Sequence, residues 1–195
     1  NNKLWILQTR SGKRTSKSAV KIAVDMVKEK LISKKQAILR VDPNSLDTLL
    51  HPTLDEKSEI KVIANGLPAS PGAASGKVVF TSEEAERLNS MMQDTILVRT
   101  ETSPEDIQGM HAAKGILTAR GGMTSHAAVV ARGMGRPCVS GSSEINIDYE
   151  KKIFKTSDLE IKEGDIITID GSSGRIILGN VPTVKPEISG DFPKL

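Results

Sequence analysis

One cysteine, three histidines and five aromatic residues (one Trp, one Tyr, three Phe) are spread over 195 residues. A single thiol excludes an internal disulfide, and the reading expects a reducing, cytoplasmic setting. Three histidines far apart, with Cys138 remote from all of them, offer no zinc-ligand spacing. So few aromatics make no platform for stacking bases. The 27 basic residues are interspersed with 24 acids, a net charge of only +3, so a nucleic-acid partner is set aside. No apolar run is long enough to span a bilayer, so no membrane partner is expected.

Apolar spacing divides the chain. Val20, Val24, Val27 and Leu31 recur at helical intervals. A second short helix is predicted near residues 33–39, and Asp42-Pro43 opens another turn or two. His51-Pro52 closes that segment, and residues 53–60 read as a polar linker. From Lys61 onward strands alternate with helices. Gly66 to Gly76 reads as an ordered loop rich in Gly, Pro, Ala and Ser. Thr81 with Glu84 caps a helix. Ser103-Pro104-Glu105-Asp106 combines cap, first-turn proline and acidic first turn. Beyond Ile145 the pattern is strand after strand, punctuated by glycine turns. The expected fold class is α/β.

The most informative stretch is Arg120-Gly-Gly-Met-Thr-Ser-His126-Ala-Ala-Val-Val-Ala-Arg132. A short strand ends near Thr118. Gly121 and Gly122 turn the chain and leave room beside it. Thr124 or Ser125 supplies a helix N-cap, and His126 falls in the first helical turn. Helix N-termini attract anions, phosphate above all. Neutral imidazole is nucleophilic near pH 7. Backbone amides from Gly122 to Ser125, with the Thr124 and Ser125 hydroxyls, are candidate donors to phosphoryl oxygens. The pattern points to a phosphorylated histidine, His126, with Gly122, Thr124 and Ser125 around it. His111 and His51 read as surface or structural residues. Cys138 reads as a small core side chain, and Arg132 as a group pairing with an acid or docking a partner domain.

This motif resembles the signature of the swivelling phosphohistidine domain of phosphoenolpyruvate-utilising enzymes. The run Gly121 to Gly141, including Met123 and Cys138, is most similar to the dikinase branch. Glu101-Thr-Ser-Pro-Glu-Asp-Ile107 and Gly66-Leu-Pro-Ala-Ser-Pro-Gly-Ala-Ala74 are also similar. The resemblance implies a β/β/α swivelling domain at 61–180. It places the end of an ATP-grasp domain and a helical linker at 1–60, and a linker toward a phosphoenolpyruvate/pyruvate barrel at 181–195. By the same resemblance Gln8 and Arg10 are remnants of an ATP site. Thr124 matches a threonine that is a regulatory phosphorylation site in plant members.

The implied reaction interconverts ATP, phosphate and pyruvate with AMP, pyrophosphate and phosphoenolpyruvate, with His126 as the phosphorylated intermediate. The implied partners are the ATP-grasp and barrel domains of the same polypeptide, in a homodimeric enzyme. Mg2+ and a monovalent cation belong to the full enzyme, with none bound by this fragment, and the chain alone is expected to be inactive. Two other readings stand beside this one: a synthase-type carrier that uses water as the second acceptor, and a non-catalytic binding module.

Overall fold

The computed structural model describes residues 8, 9, 12, 14, 16–43, 50–55 and 58–184. Arg10, the turns after Pro43 and most of the linker expected at 181–195 lie outside the described residues.

The described residues fall into two compact units, those up to 43 in one and those from 50 to 184 in the other. In the first, helix α1 (Ser16–Lys28) and helix α2 (Lys34–Arg40) enclose Val20, Ala23, Ala37 and Val41. The periodicity had carried the first helix toward Leu31, but α1 stops at Lys28. Lys30 takes a left-handed φ of 58°. Its amide bonds the Val27 carbonyl and the Leu31 amide bonds the Met26 carbonyl. These bonds satisfy two of the last helical carbonyls. A Ser33–Gln36 capping box starts α2.

The second unit has three layers. Strands β1 (Thr53–Leu54), β2 (Val62–Asn65), β3 (Leu67–Ser70) and β4 (Ala73–Val79) precede helix α3 (Ser82–Ser90) and strand β5 (Thr95–Arg99). A 3-10 turn at Pro104–Asp106 leads into α4 (Ile107–Ala112), then β6 (Gly115–Thr118), α5 (His126–Gly133) and β7 (Cys138–Ser140). The chain continues through β8 (Asn146–Asp148), β9 (Ile153–Lys155), β10 (Glu160–Lys162), β11 (Ile166–Asp170), β12 (Arg175–Leu178) and β13 (Thr183–Val184).

The central sheet has the order β2-β12-β11-β4-β5-β6-β7-β3. Its middle strands β4, β5, β6 and β7 run parallel, and the outer pairings are antiparallel. Alternation along a strand sends neighbours to opposite faces. Ile96 and Val98 therefore join one core, with Phe154 and Ile161 of the small sheet β10-β9-β8. Leu97 joins the other, with Ala85, Met110 and Ala128 of the helices. The small sheet, the central sheet and the helices make a β/β/α arrangement within an α/β fold.

Two local readings are corrected. The Gly66–Gly76 stretch is largely strand, because β3 finds an edge partner in β7 and β4 is paired by β11 from Ala73 onward. Pro68 is tolerated there because β3 is an edge strand. Residues 53–54, read as linker, form a ladder with Thr183–Val184. The Ala73 amide bonds the Pro52 carbonyl at 2.8 Å and the Val181 amide bonds Thr168 Oγ1 at 3.0 Å, so the chain is anchored beside both ends of that ladder.

Candidate functional site

Parallel strands place the loops that follow them on one edge of the sheet, where α/β proteins commonly build their sites. Here the loop after β5 (residues 100–103), the loop after β6 (residues 119–125) and the end of β7 converge. Gly121 takes a φ of +105°, and a side chain there would press on the Ser125 Cβ at 2.9 Å. At Gly122 an added Cβ would meet nothing within 4 Å, so the space beside it is open.

Ser125, not Thr124, is the N-cap of α5. Its backbone is extended, and its Oγ accepts from the Ala128 amide at 3.3 Å. The same oxygen lies 3.3 Å from Ser140 Oγ. Ser140 is buried, and its hydroxyl reaches the Gly122 carbonyl at 3.4 Å. Buried Thr118 donates to the Arg120 carbonyl at 2.8 Å. Two buried hydroxyls on neighbouring strands thus hold the glycine loop in shape. Gly122, Met123 and Thr124 stand exposed on it.

His126 is the first residue of α5 and is half-buried. Its Nδ1 lies 3.0 Å from Thr102 Oγ1, on the loop after β5. That contact engages one ring nitrogen and leaves Nε2 to other partners. Thr102 escaped the sequence reading because it lies 24 residues upstream on another loop. The signal available was a hydroxyl-bearing segment directly after the strand that neighbours β6.

The loop of Thr102 is itself anchored. Asp106, nearly fully buried, accepts from the Ser103 amide at 2.9 Å and from Ser82 Oγ at 3.0 Å. Arg99 Nε lies 3.4 Å from the same carboxylate. At α5's far end the Arg132 guanidinium donates to the Ala69 carbonyl at 2.6 Å, tying the helix to β3 rather than pairing with an acid. Cys138 is buried beneath the helix, and burial pushes its thiol up to about 12, with Arg132 opposing weakly. It is therefore an uncharged core group at neutral pH. His111 is exposed on α4 and Gln8 is exposed. Among the described residues no group of three or more His, Cys, Asp or Glu could hold a metal ion. No helix among them is long and apolar enough to cross a membrane.

Residues 91–174, which include both loops and α5, match the family model of the PEP-utilising enzyme mobile domain. The part of the chain that carries the candidate site is thus similar to that family. The mobile domain lies within a longer region of similarity. A pyruvate, phosphate dikinase of Rhizobium meliloti is 61% identical over 193 residues, covering 99% of this chain and 22% of that protein. A Rickettsia typhi protein of the same name is 61% identical over 189 residues, covering 97% of this chain and 21% of its own length. The chloroplastic pyruvate, phosphate dikinase 1 of Arabidopsis thaliana is 59% identical over 192 residues, with 97% and 20% covered. The chain thus spans about a fifth of the length of these relatives. Among solved structures, the holo-form of Thermococcus kodakaraensis aconitase X is similar over 60% of this chain and 98% of that chain, at 17% identity and a TM-score of 0.37. That likeness is too slight to bear on function.

Proposed function

We propose that this chain is the phosphoryl-carrying part of a pyruvate, phosphate dikinase, with His126 as the group that is phosphorylated. The observation that carries the reading is the placement of His126. It opens a capped helix beside an exposed glycine loop, and Nδ1 is engaged by Thr102 at 3.0 Å. With Nδ1 carrying the proton and donating it to Thr102 Oγ1, the lone pair sits on Nε2. That nitrogen attacks the β-phosphorus of ATP, the bridging bond to the α-phosphate breaks, and AMP leaves. Phosphate then takes the terminal phosphoryl group as pyrophosphate. The remaining phosphoryl passes from Nε2 to the enolate oxygen of pyruvate, whose methyl group has lost a proton.

The exposed Gly122–Thr124 loop, with its backbone amides and the Thr124 hydroxyl, would supply donors where charge develops. Ser125 acts through the cap and the loop. Thr124, exposed, is also where a regulatory phosphate could be added. The ATP and pyruvate sites belong to an ATP-grasp domain and a barrel on the same longer polypeptide, a homodimer with Mg2+ and a monovalent cation bound outside the residues described. Gln8 and Arg10 would contribute to that ATP site. Residues 61–180 would be the moving domain, with 1–60 and 181–195 leading to its neighbours, and the enzyme would work in the cytoplasm. A carrier must then travel between two sites.

The test is covalent labelling. Mixed with a phosphoenolpyruvate-binding barrel and phosphoenolpyruvate, the chain should gain an acid-labile, base-stable phosphoryl group. His126→Asn removes the nucleophile and should abolish it; an undiminished label in that variant would sink the assignment. Thr124→Val should slow labelling by roughly 100-fold if its hydroxyl serves the transition state. An unchanged rate would leave the loop amides as the only donors.

A further inference from the structure

We infer that Asp106 and Tyr149, neither of which touches His126, are positioning residues that fix the orientation of the histidine ring through the loop bearing Thr102. The inference rests on the carrier reading only for its purpose. Its geometry stands apart.

A carboxylate as buried as Asp106, 4% exposed, is costly unless every oxygen is partnered. Its partners come from three elements. Ser82 Oγ at 3.0 Å opens α3, and Arg99 Nε at 3.4 Å ends β5. The Ser103 amide at 2.9 Å and Ser103 Oγ at 3.4 Å belong to the loop. Asp106 therefore pins the residue after Thr102.

Tyr149 pins the loop's other end from a different layer. It lies in the turn after β8, in the small sheet. Its hydroxyl accepts from the Thr100 amide at 2.7 Å and reaches Thr100 Oγ1 at 3.2 Å. The ring stands edge-on to Phe80, centroids 6.4 Å apart, and the Arg99 guanidinium lies 5.4 Å from its centroid. Arg99 also donates to the Phe80 carbonyl at 3.1 Å. The guanidinium thus lies near both the ring and the carboxylate. Thr102 is the unsupported residue between them, and its one described side-chain contact is His126 Nδ1. Held at 100 and 103, the loop offers Oγ1 at a fixed point, and the imidazole is presented in one orientation with one nitrogen free. A carboxylate serving only to start the 3-10 turn, and a tyrosine serving only the core, would leave the imidazole indifferent to their loss.

The experiment is ¹⁵N-resolved NMR of the histidine rings in the full chain, with exposed His111 as the internal reference. In the unsubstituted chain the His126 nitrogens should differ from those of His111, with Nδ1 showing the shift of a hydrogen-bonded ring nitrogen. Tyr149→Phe keeps the ring and loses the hydroxyl, and Asp106→Asn keeps the shape and loses the charge. Both should move the His126 nitrogens toward the averaged values of His111, and slow labelling by about 10- to 100-fold, as small misplacements do. Thr102→Val should do the same, and adding Tyr149→Phe to it should change nothing further, since both act through one contact. Thr102→Ser should restore the original His126 shifts. If Asp106→Asn fails to fold, Tyr149→Phe decides alone. Unmoved His126 nitrogens in folded Tyr149→Phe would overturn the inference. Shifted His126 nitrogens in a variant of a chain that never takes a phosphoryl group would overturn the carrier reading and leave this one intact.

Discussion

The two faces of the central sheet are packed with different residues. Under the small sheet lie six isoleucines (96, 145, 161, 167, 169, 176) with Phe80 and Phe154. Under the helices half of the twelve buried residues are alanines: Ala69, Ala85, Ala113, Ala127, Ala128 and Ala131. Branched and aromatic side chains suit a pleated surface facing another sheet. Small side chains let a helix lie close to the strands. The first face is where burial contributes most to stability, at about 25 cal/mol per Å². The second sets where α5 begins, and with it where His126 stands. One face holds the domain together, and the other sets the position of the site.

Substitutions can break that division. The largest effect should come from Phe154→Ala, which empties a fully buried position under the small sheet. It should cost about 3–5 kcal/mol in denaturant unfolding. Labelling of whatever remains folded should proceed at the original rate. Loss of labelling in a folded variant would show that the strand-covered face also shapes the site. Next, Ala128→Leu adds bulk where α5 meets the sheet, at a residue with no exposure. About 1–3 kcal/mol should be lost to overpacking, and labelling of His126 should fall with it. A normal labelling rate would mean the helix tolerates displacement. The smallest is Ser125→Ala. Losing the cap should cost about 1 kcal/mol by thermal melting. An unchanged melting temperature would show that the Ser140 hydroxyl and the neighbouring loop bonds hold the helix start without it.

Much of the site could be read along the chain. The glycine turn, the capped helix and the histidine that opens it are set by residues within a few positions of one another, and those rules act at short range. The choice between Thr124 and Ser125 could not be read, because both are good caps. Gly121 at a φ of +105° and the Ser140 hydroxyl settle it in favour of Ser125. The glycine- and proline-rich stretch 66–76 misled for a related reason. Its composition suits a turn, yet β7 and β11 supply partners that make most of it strand. Asp106 was legible only as an acid in a first turn. Its burial against Arg99 and Ser82 depends on elements that meet only in the folded domain. Tyr149 carried no signal at all.

Local sequence therefore determined the candidate histidine, its helix and the glycine loop before it, since caps, glycine turns and helical periodicity work over four or five residues. The tertiary structure decided which ring nitrogen is engaged and what holds it. Parallel pairing of β5 with β6 sets their following loops side by side and brings residue 102 to residue 126. No spacing along the chain encodes that meeting, because it depends on strand order, and strand order comes from burying both faces of one sheet at once.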